Sequence, residues 1–221
     1  MFSYIWMRIL ETQPKRYDLG LSMLSLGSSA RMKNRLVDEN VHAGDRILEI
    51  GCGTGTLAIL AALRGARVLG FDVSSPMLEI ASEKVDAAGM SENVELVEMG
   101  ISGMDKLASG EFDLVMSTLV FSELSNDERS YALGHAYRLL GPGGRLVLAD
   151  EALPRNRWKR LLYLVLRLPL LLVTFAVTQT TTKAIDGLAE LVSQAGFKVE
   201  SEVRSRLDSV VYLTAIKEWQ S

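Results

Sequence analysis

The sequence predicts an α/β protein whose mostly parallel sheet is covered by helices on both faces. Two observations carry that expectation. Between Arg46 and Asp150, short apolar runs rich in β-branched residues alternate with longer stretches of helical spacing, and alternation at that pitch builds strand–helix–strand units. The run Ile47-Leu48-Glu49-Ile50 also ends in Gly51, Gly53 and Gly55, spaced by one residue each, and an aliphatic segment from Leu57 to Leu63 begins at once. That pattern is a strand, a tight turn and a helix.

The elements follow in order. Residues 1–40 are expected to be helical, with Ile5, Ile9, Leu19, Met23 and Leu26 at mixed three- and four-residue spacing and breaks at Gly20 and Gly27. Then come a strand over 46–50, a helix over 55–64, a strand over 67–72, a helix over 75–88 and a strand over 94–98. A short helical or loop stretch over 101–110 leads to a strand over 112–117, a helix over 126–140 and a strand over 145–150. Ser74-Ser75-Pro76 offers a cap and a first-turn proline to the helix after it. Gly141-Pro142-Gly143-Gly144 is expected to stop one helix before the strand at 145. Near the end, Thr180-Thr181-Thr182-Lys183 caps a helix to about Ala195, Gly196 terminates it, and strands near 197–203 and 210–217 finish the sheet.

Composition narrows the function classes. A chain of 221 residues holds one large domain, or a domain with a cap, and no second catalytic domain. Its net charge of −3 gives no argument for nucleic-acid binding. The charge is uneven, however: residues 152–185 carry six cations and no acid, which leaves −9 on the remainder. The single cysteine, Cys52, excludes an internal disulfide and any cysteine-cluster metal site, and fits a reducing compartment. Met1 to Leu10 is apolar, but Arg8 inside the run and the lack of an Ala-x-Ala site argue against a signal peptide. No metal site is expected.

The glycine turn indicates the ligand. Glycines let a ligand press on the backbone, and the N–H groups that open the next helix point at it. A dinucleotide fingerprint needs glycine or alanine where Thr56 stands, and a phosphate loop needs Gly-Lys-Ser/Thr, which is absent. What stands here is Glu49-x-Gly51-x-Gly53-x-Gly55, with a carboxylate just before the turn. A carboxylate repels a pyrophosphate and attracts a cationic ligand bearing ribose hydroxyls.

On these residues the chain resembles the class I methyltransferases that use S-adenosylmethionine, which implies a Rossmann-like fold and S-adenosylhomocysteine as the product. The strand Arg67-Val68-Leu69-Gly70-Phe71-Asp72 strengthens the likeness, because Asp72 follows Gly55 by seventeen residues, near the offset of about twenty at which an acid meets ribose hydroxyls. The turn Gln194-Ala195-Gly196-Phe197 and the closing strand pair also resemble this class. They imply a seven-stranded, mostly parallel sheet with an antiparallel last strand. The stretch Arg16 to Gly27 resembles the segment before the first motif in the quinone C-methyltransferases of ubiquinone and menaquinone biosynthesis. By that likeness Tyr17 folds over the cofactor; an amphipathic helix packing its tyrosine on the sheet is the other reading. The N-terminal segment and the basic, leucine-rich insert also resemble methyltransferases found alongside corrinoid proteins.

Ligands in such sheets sit outside the carboxyl ends of the strands. The expected cofactor-binding set is therefore Tyr17, Glu49, Gly51, Cys52, Gly53, Thr54, Gly55, Asp72, Val73, Met77, Gly100, Ile101 and Ser117. Asp72 suits two adjacent ribose hydroxyls. Met77 and Ile101 are candidates to flank the adenine, or are core. The family often places an acid where Gly100 stands, so that contact falls to backbone or to another residue here. Ser122 and Glu123 are the candidates near the methyl group: Glu123 takes a proton from the nucleophile or orients it, or else is a solvated helix cap. Asp150 and Glu151 are weaker candidates, and His42 and His135 lie away from the strand ends.

The stretch 161–177 is apolar but interrupted by Arg167 and Pro169, which disfavours a spanning helix. It is either a helical cap buried on the core or a second subunit, or an interfacial segment with Trp158 and the cations of 155–160 at lipid headgroups. Both imply an apolar substrate entrance. The expected organisation is an N-terminal helical lid over 1–45, a cofactor-binding core over 46–153, a hydrophobic basic cap over 154–182, and a closing helix and strand pair over 183–221. The expected activity is methyl transfer to a lipophilic or membrane-associated small molecule, whether quinone-like, lipid or corrinoid-related. The alternative is a non-catalytic S-adenosylmethionine-binding protein that docks a protein or membrane through its insert. The expected place is the cytoplasm, with a peripheral seat on the inner membrane face through 155–177 if the insert is an anchor, and with homodimerisation as a further use of that surface.

Overall fold

The computed structural model describes residues 28–158, 160–161, 184–205 and 208–219. Tyr17 and the insert residues 162–183 lie outside the described residues. Chain order runs α1 (Ser28–Asn40), β1 (Arg46–Ile50), α2 (Thr56–Ala62), β2 (Arg67–Asp72), α3 (Ser75–Ala87) and β3 (Val94–Glu98). A 3-10 turn over Ile101–Lys106 follows, then β4 (Phe112–Thr118), α4 (Asn126–Leu139), β5 (Leu140–Glu151), α5 (Leu188–Gln194), β6 (Lys198–Arg204) and β7 (Val210–Ile216). One seven-stranded sheet has the order β3-β2-β1-β4-β5-β7-β6. The first five strands are parallel, and β7 is antiparallel to both β5 and β6. The expected mixed sheet is therefore present.

Strand periodicity divides the core between the two faces. In β1, Ile47 packs with α1 and α2 through Leu36, Val37, Leu57 and Ala61, while Leu48 and Ile50 face α4 and α5 through Leu133, Ala136, Leu188 and Val192. β5 alternates likewise, with Val147 and Ala149 on one side and Leu146 and Leu148 on the other. A strand apolar on both faces belongs in the middle of a covered parallel sheet, and β1 is there. The chain builds outward from β1 to β3, then crosses to β4, so the strand order reverses between β1 and β4. The crevice beyond the carboxyl ends of the strands opens at that point.

Two boundaries and one cap differ from the sequence expectation. Residues 141–144 do not precede the strand; they belong to β5, where Phe112 pairs with Leu140 and Leu114 with Arg145, leaving Gly141 to Gly144 as a bulge. Proline, which has no N–H, is tolerated at a bulge, and Gly143 supplies a φ of 76°. Ser74 stands at the N-cap of α3 without a side-chain cap bond. The hydroxyl of Ser75 instead donates to Glu98 Oε2 at 2.6 Å and ties the helix to β3. Finally, α5 starts at Leu188 with Gly187 as its N-cap, not at residues 180–183.

The carboxyl end of α1 is locked to the sheet by Asn40, whose Nδ2 donates to the Tyr212 hydroxyl at 2.5 Å. Arg145 donates to Asn40 O at 2.6 Å and to Asp45 Oδ2 at 2.7 Å. Among the described residues no helix is long and apolar enough to cross a membrane.

Candidate functional site

The site begins with the turn between β1 and α2. Gly51 has a φ of 69°, and a Cβ built on it would meet Val120 Cγ2 at 2.3 Å. Neither the dihedral nor the space admits another residue there without a shift. Gly53 donates its N–H to Asp72 Oδ2 at 2.9 Å, and Ser74 N donates to Asp72 Oδ1 at 3.0 Å. Asp72 thus braces the turn through Oδ2 and its own loop through Oδ1. Each carboxylate oxygen keeps a further lone-pair site for a ligand hydroxyl.

Beside this turn lies a cleft of about 570 Å³. Gly51 and Asp72 form its floor with Phe71 and Val73; Met99, Gly100 and Ile101 form one wall, and Val120, Glu123 and Leu124 the other. Asp127, Glu128 and Tyr131 line it from the first turns of α4. Four acidic residues therefore line the cleft (Asp72, Glu123, Asp127 and Glu128), and among the described residues no Lys, Arg or His lines it. Such a lining attracts a cation and repels a pyrophosphate or another polyanion. Val73 is left 73% exposed next to Asp72, an apolar side chain available to a ligand's flat face.

Beneath the turn, Glu49 is buried, and its Oε2 has no hydrogen-bond partner among the described residues. Burial, above all, pushes its carboxyl up to about 8; the positive field of Lys33 opposes the rise and the charge of Asp72 adds to it. An orphaned buried carboxyl oxygen under a glycine turn, with an acid-lined cleft alongside, fits a cofactor carrying an ammonium and a sulfonium. The donor set and the bare turn together accommodate S-adenosylmethionine.

The remaining residues singled out in the sequence occupy three kinds of place. Gly51, Asp72, Val73, Gly100, Ile101 and Glu123 line the cleft. Cys52 is buried against Gly70, and burial pushes its thiol far up, so it is no nucleophile. Met77 is buried on α3, and Thr54 is buried where Lys84 reaches its hydroxyl at 3.3 Å. Ser117 donates Oγ to Ile50 O at 2.9 Å, holding β4 to the end of β1. Ser122 is buried behind the cleft wall, its N–H directed at Asp150. His42 contacts Arg145 at the opposite end of the sheet, and His135 packs on the Tyr131 ring at 4.3 Å. Among the described residues there is no group of three or more metal-ligating side chains.

The lining residues from α4 were not anticipated. Their signal is present: Ser125-Asn126-Asp127-Glu128 is a capping box, with Ser125 N donating to Glu128 Oε2 at 2.8 Å and Glu128 N to Ser125 Oγ at 3.3 Å. A helix starting there aims its first turn at the cleft, and with it Asp127 and Glu128.

Comparison with known proteins agrees with this geometry. Residues 47–144 match the family described as Methyltransferase domain. The demethylmenaquinone methyltransferase of Thermus thermophilus is 39% identical over 138 residues, covering 61% of this chain and 60% of that protein. The chain spans about three-fifths of the length of the curated relatives it matches first: 60%, 57% and 59%. Among solved structures, a SAM-dependent methyltransferase from Aquifex aeolicus superposes with a TM-score of 0.62 at 18% identity, covering 84% of this chain and 89% of that one. The cyclase SpnF superposes with a TM-score of 0.68 at 20% identity, covering 88% and 84%. At such identities the structures establish the fold alone, and SpnF carries another chemistry on it.

Proposed function

We propose, on the premise that residues 47–144 form a class I S-adenosylmethionine-dependent methyltransferase domain similar to the ubiquinone and menaquinone C-methyltransferases, that this chain methylates a lipophilic small molecule of the quinol type. The observation that carries the reading is the cleft lining: four acidic residues, apolar walls and, among the described residues, no cation. When bound, S-adenosylmethionine supplies a methyl group already activated on a sulfonium, and the leaving group is a neutral thioether. The residues need to do little covalent work. Asp72 accepts from the ribose hydroxyls, the backbone of the 51–55 turn with Glu49 beneath it receives the amino-acid end, and Val73 and Ile101 flank the ring. Glu123 orients the acceptor or takes its proton. Val120, Leu124 and the apolar floor exclude water and align the nucleophile with the reacting bond.

The quinol class is supported by the name of the Thermus thermophilus relative and by the apolar walls. A seat on a membrane surface is supported at one edge of the insert, where Trp158 is 80% exposed and Leu161 53% exposed beside Arg155, Arg157 and Arg160. The test is incubation with S-adenosylmethionine and vesicles containing reduced demethylmenaquinone. The expected result is S-adenosylhomocysteine formed mole for mole with methylated quinol. Tight S-adenosylhomocysteine binding without turnover, on this quinol or on a lipid extract, favours the non-catalytic docking protein instead.

A further inference from the structure

The wall of the cleft opposite the glycine turn is the loop 119–124. Val120, Glu123 and Leu124 face the cleft from it, whereas Phe121 and Ser122 between them are buried. Leu119 enters the loop at a φ of 62°, a conformation a leucine adopts only at a cost. Local preference does not hold such a wall, so it is held from behind. Arg129, near the start of α4, donates Nε to Phe121 O at 2.6 Å. Asp150, at the end of β5 and 1% exposed, accepts from Ser122 N at 3.2 Å and from Glu151 N at 2.7 Å. The Ser122 hydroxyl also bonds to it, while burial, the largest effect, pushes its carboxyl up to about 6. The charged groups around it are Arg129, whose field reaches it from α4, and its neighbour Glu151. Burying a carboxylate is expensive, and apolar side chains would fill this space at lower cost.

Resting on the transfer reading above, we propose that Asp150 is a positioning residue: it grips the backbone of Ser122 and so sets the direction in which Glu123 meets the acceptor. Asp150 is absent from the cleft lining, so it acts only through the loop. Its carboxylate offers two acceptor oxygens to two N–H donors, which neither an amide nor an alkyl side chain can do. The pair of buried ionisable groups, Asp150 under Ser122 and Arg129 under Phe121, clamps two consecutive residues of one wall. That leaves Val120 and Glu123, on either side, aimed into the cleft.

The test is hydrogen–deuterium exchange of the full chain with S-adenosylhomocysteine bound, comparing wild type, Asp150→Asn and Ser122→Ala. Asp150→Asn is expected to speed exchange in 119–124 at least tenfold, with β1 and β4 unchanged and S-adenosylhomocysteine affinity within about twofold of wild type. Ser122→Ala, which keeps the backbone donor, is expected to give a smaller increase. With reduced demethylmenaquinone, Asp150→Asn should lower kcat at least tenfold while KM for S-adenosylmethionine holds. Wild-type exchange rates in 119–124 of Asp150→Asn would overturn the proposal. So would faster exchange spread over the whole sheet with S-adenosylhomocysteine affinity lost, the behaviour of a residue that only supports the fold. If the wild type does not turn over the quinol, the transfer reading fails, and the exchange arm still decides whether Asp150 holds the loop.

Discussion

The floor of the cleft and one of its walls are built by different physics. The floor and turn, from Ile50 to Gly55 with Asp72, are made of backbone: positive φ at glycines, and N–H groups bonded to one carboxylate. The wall 119–124 is held through its backbone by two buried ionisable side chains, Arg129 eight residues from Phe121 and Asp150 28 residues from Ser122. The bond that braces the turn joins residues 19 apart, Gly53 and Asp72, and Gly51 accepts no Cβ without a shift. The wall is fixed by contacts up to 28 residues away. On the transfer reading, the first region holds the cofactor and the second meets the acceptor; the cyclase SpnF shares the fold alone.

Three variants test that division, the most damaging first. Gly51→Ala places a Cβ against Val120 at a φ of 69°, combining about 1–2 kcal/mol of left-handed strain with overpacking of about 1–3 kcal/mol. S-adenosylhomocysteine affinity by calorimetry should fall about a hundredfold, at about 1.4 kcal/mol per tenfold. Adding Val120→Ala should recover the collision but not the strain. Equal losses in the single and double variants would show that the floor and this wall do not touch as described. Glu123→Gln should leave that affinity intact and lower turnover about tenfold, the value of one hydrogen bond to a charged group of about 1.5–3 kcal/mol. Unchanged turnover removes Glu123 from the mechanism.

Glu49→Gln acts on stability, where its effect is visible as pH dependence. The Glu49 carboxyl titrates near its ordinary 4.5 when unfolded and at about 8 when folded. Between those values the folded protein binds more protons, so its stability declines as pH rises through that window. Thermal melts of the ligand-free wild type should fall in Tm from pH 5 to pH 8. Glu49→Gln should flatten that slope, and a slope unchanged by the substitution would mean that Glu49 is ionised in the fold.

The same contrast explains what was legible in the sequence. Strands β1 to β4 and the turn follow from local pattern: β-branched runs, glycines at fixed spacing, and Asp72 at the end of a short strand. The start of β5 does not, because Gly141-Pro142-Gly143-Gly144 has no strand propensity, and its pairing comes from β4 and from Lys217 O, which accepts from Gly143 N at 2.9 Å. The start of α5 was misplaced for a related reason: a threonine cluster is a good cap in isolation, yet the helix begins where Gly187 turns at a φ of 69°. Asp150 read as a weak catalytic candidate because sequence shows a carboxylate at a strand end but not which way it points. In the structure it points down into the loop.

The central claim is that an acid-lined cleft over a glycine turn binds a cationic adenosyl ligand. Calorimetric titration of the full chain with S-adenosylmethionine, and separately with NADH, tests it most directly. Saturable one-to-one binding of S-adenosylmethionine, weakened by Asp72→Asn, is expected, with no saturable binding of NADH. Saturable NADH binding with no heat from S-adenosylmethionine would contradict it.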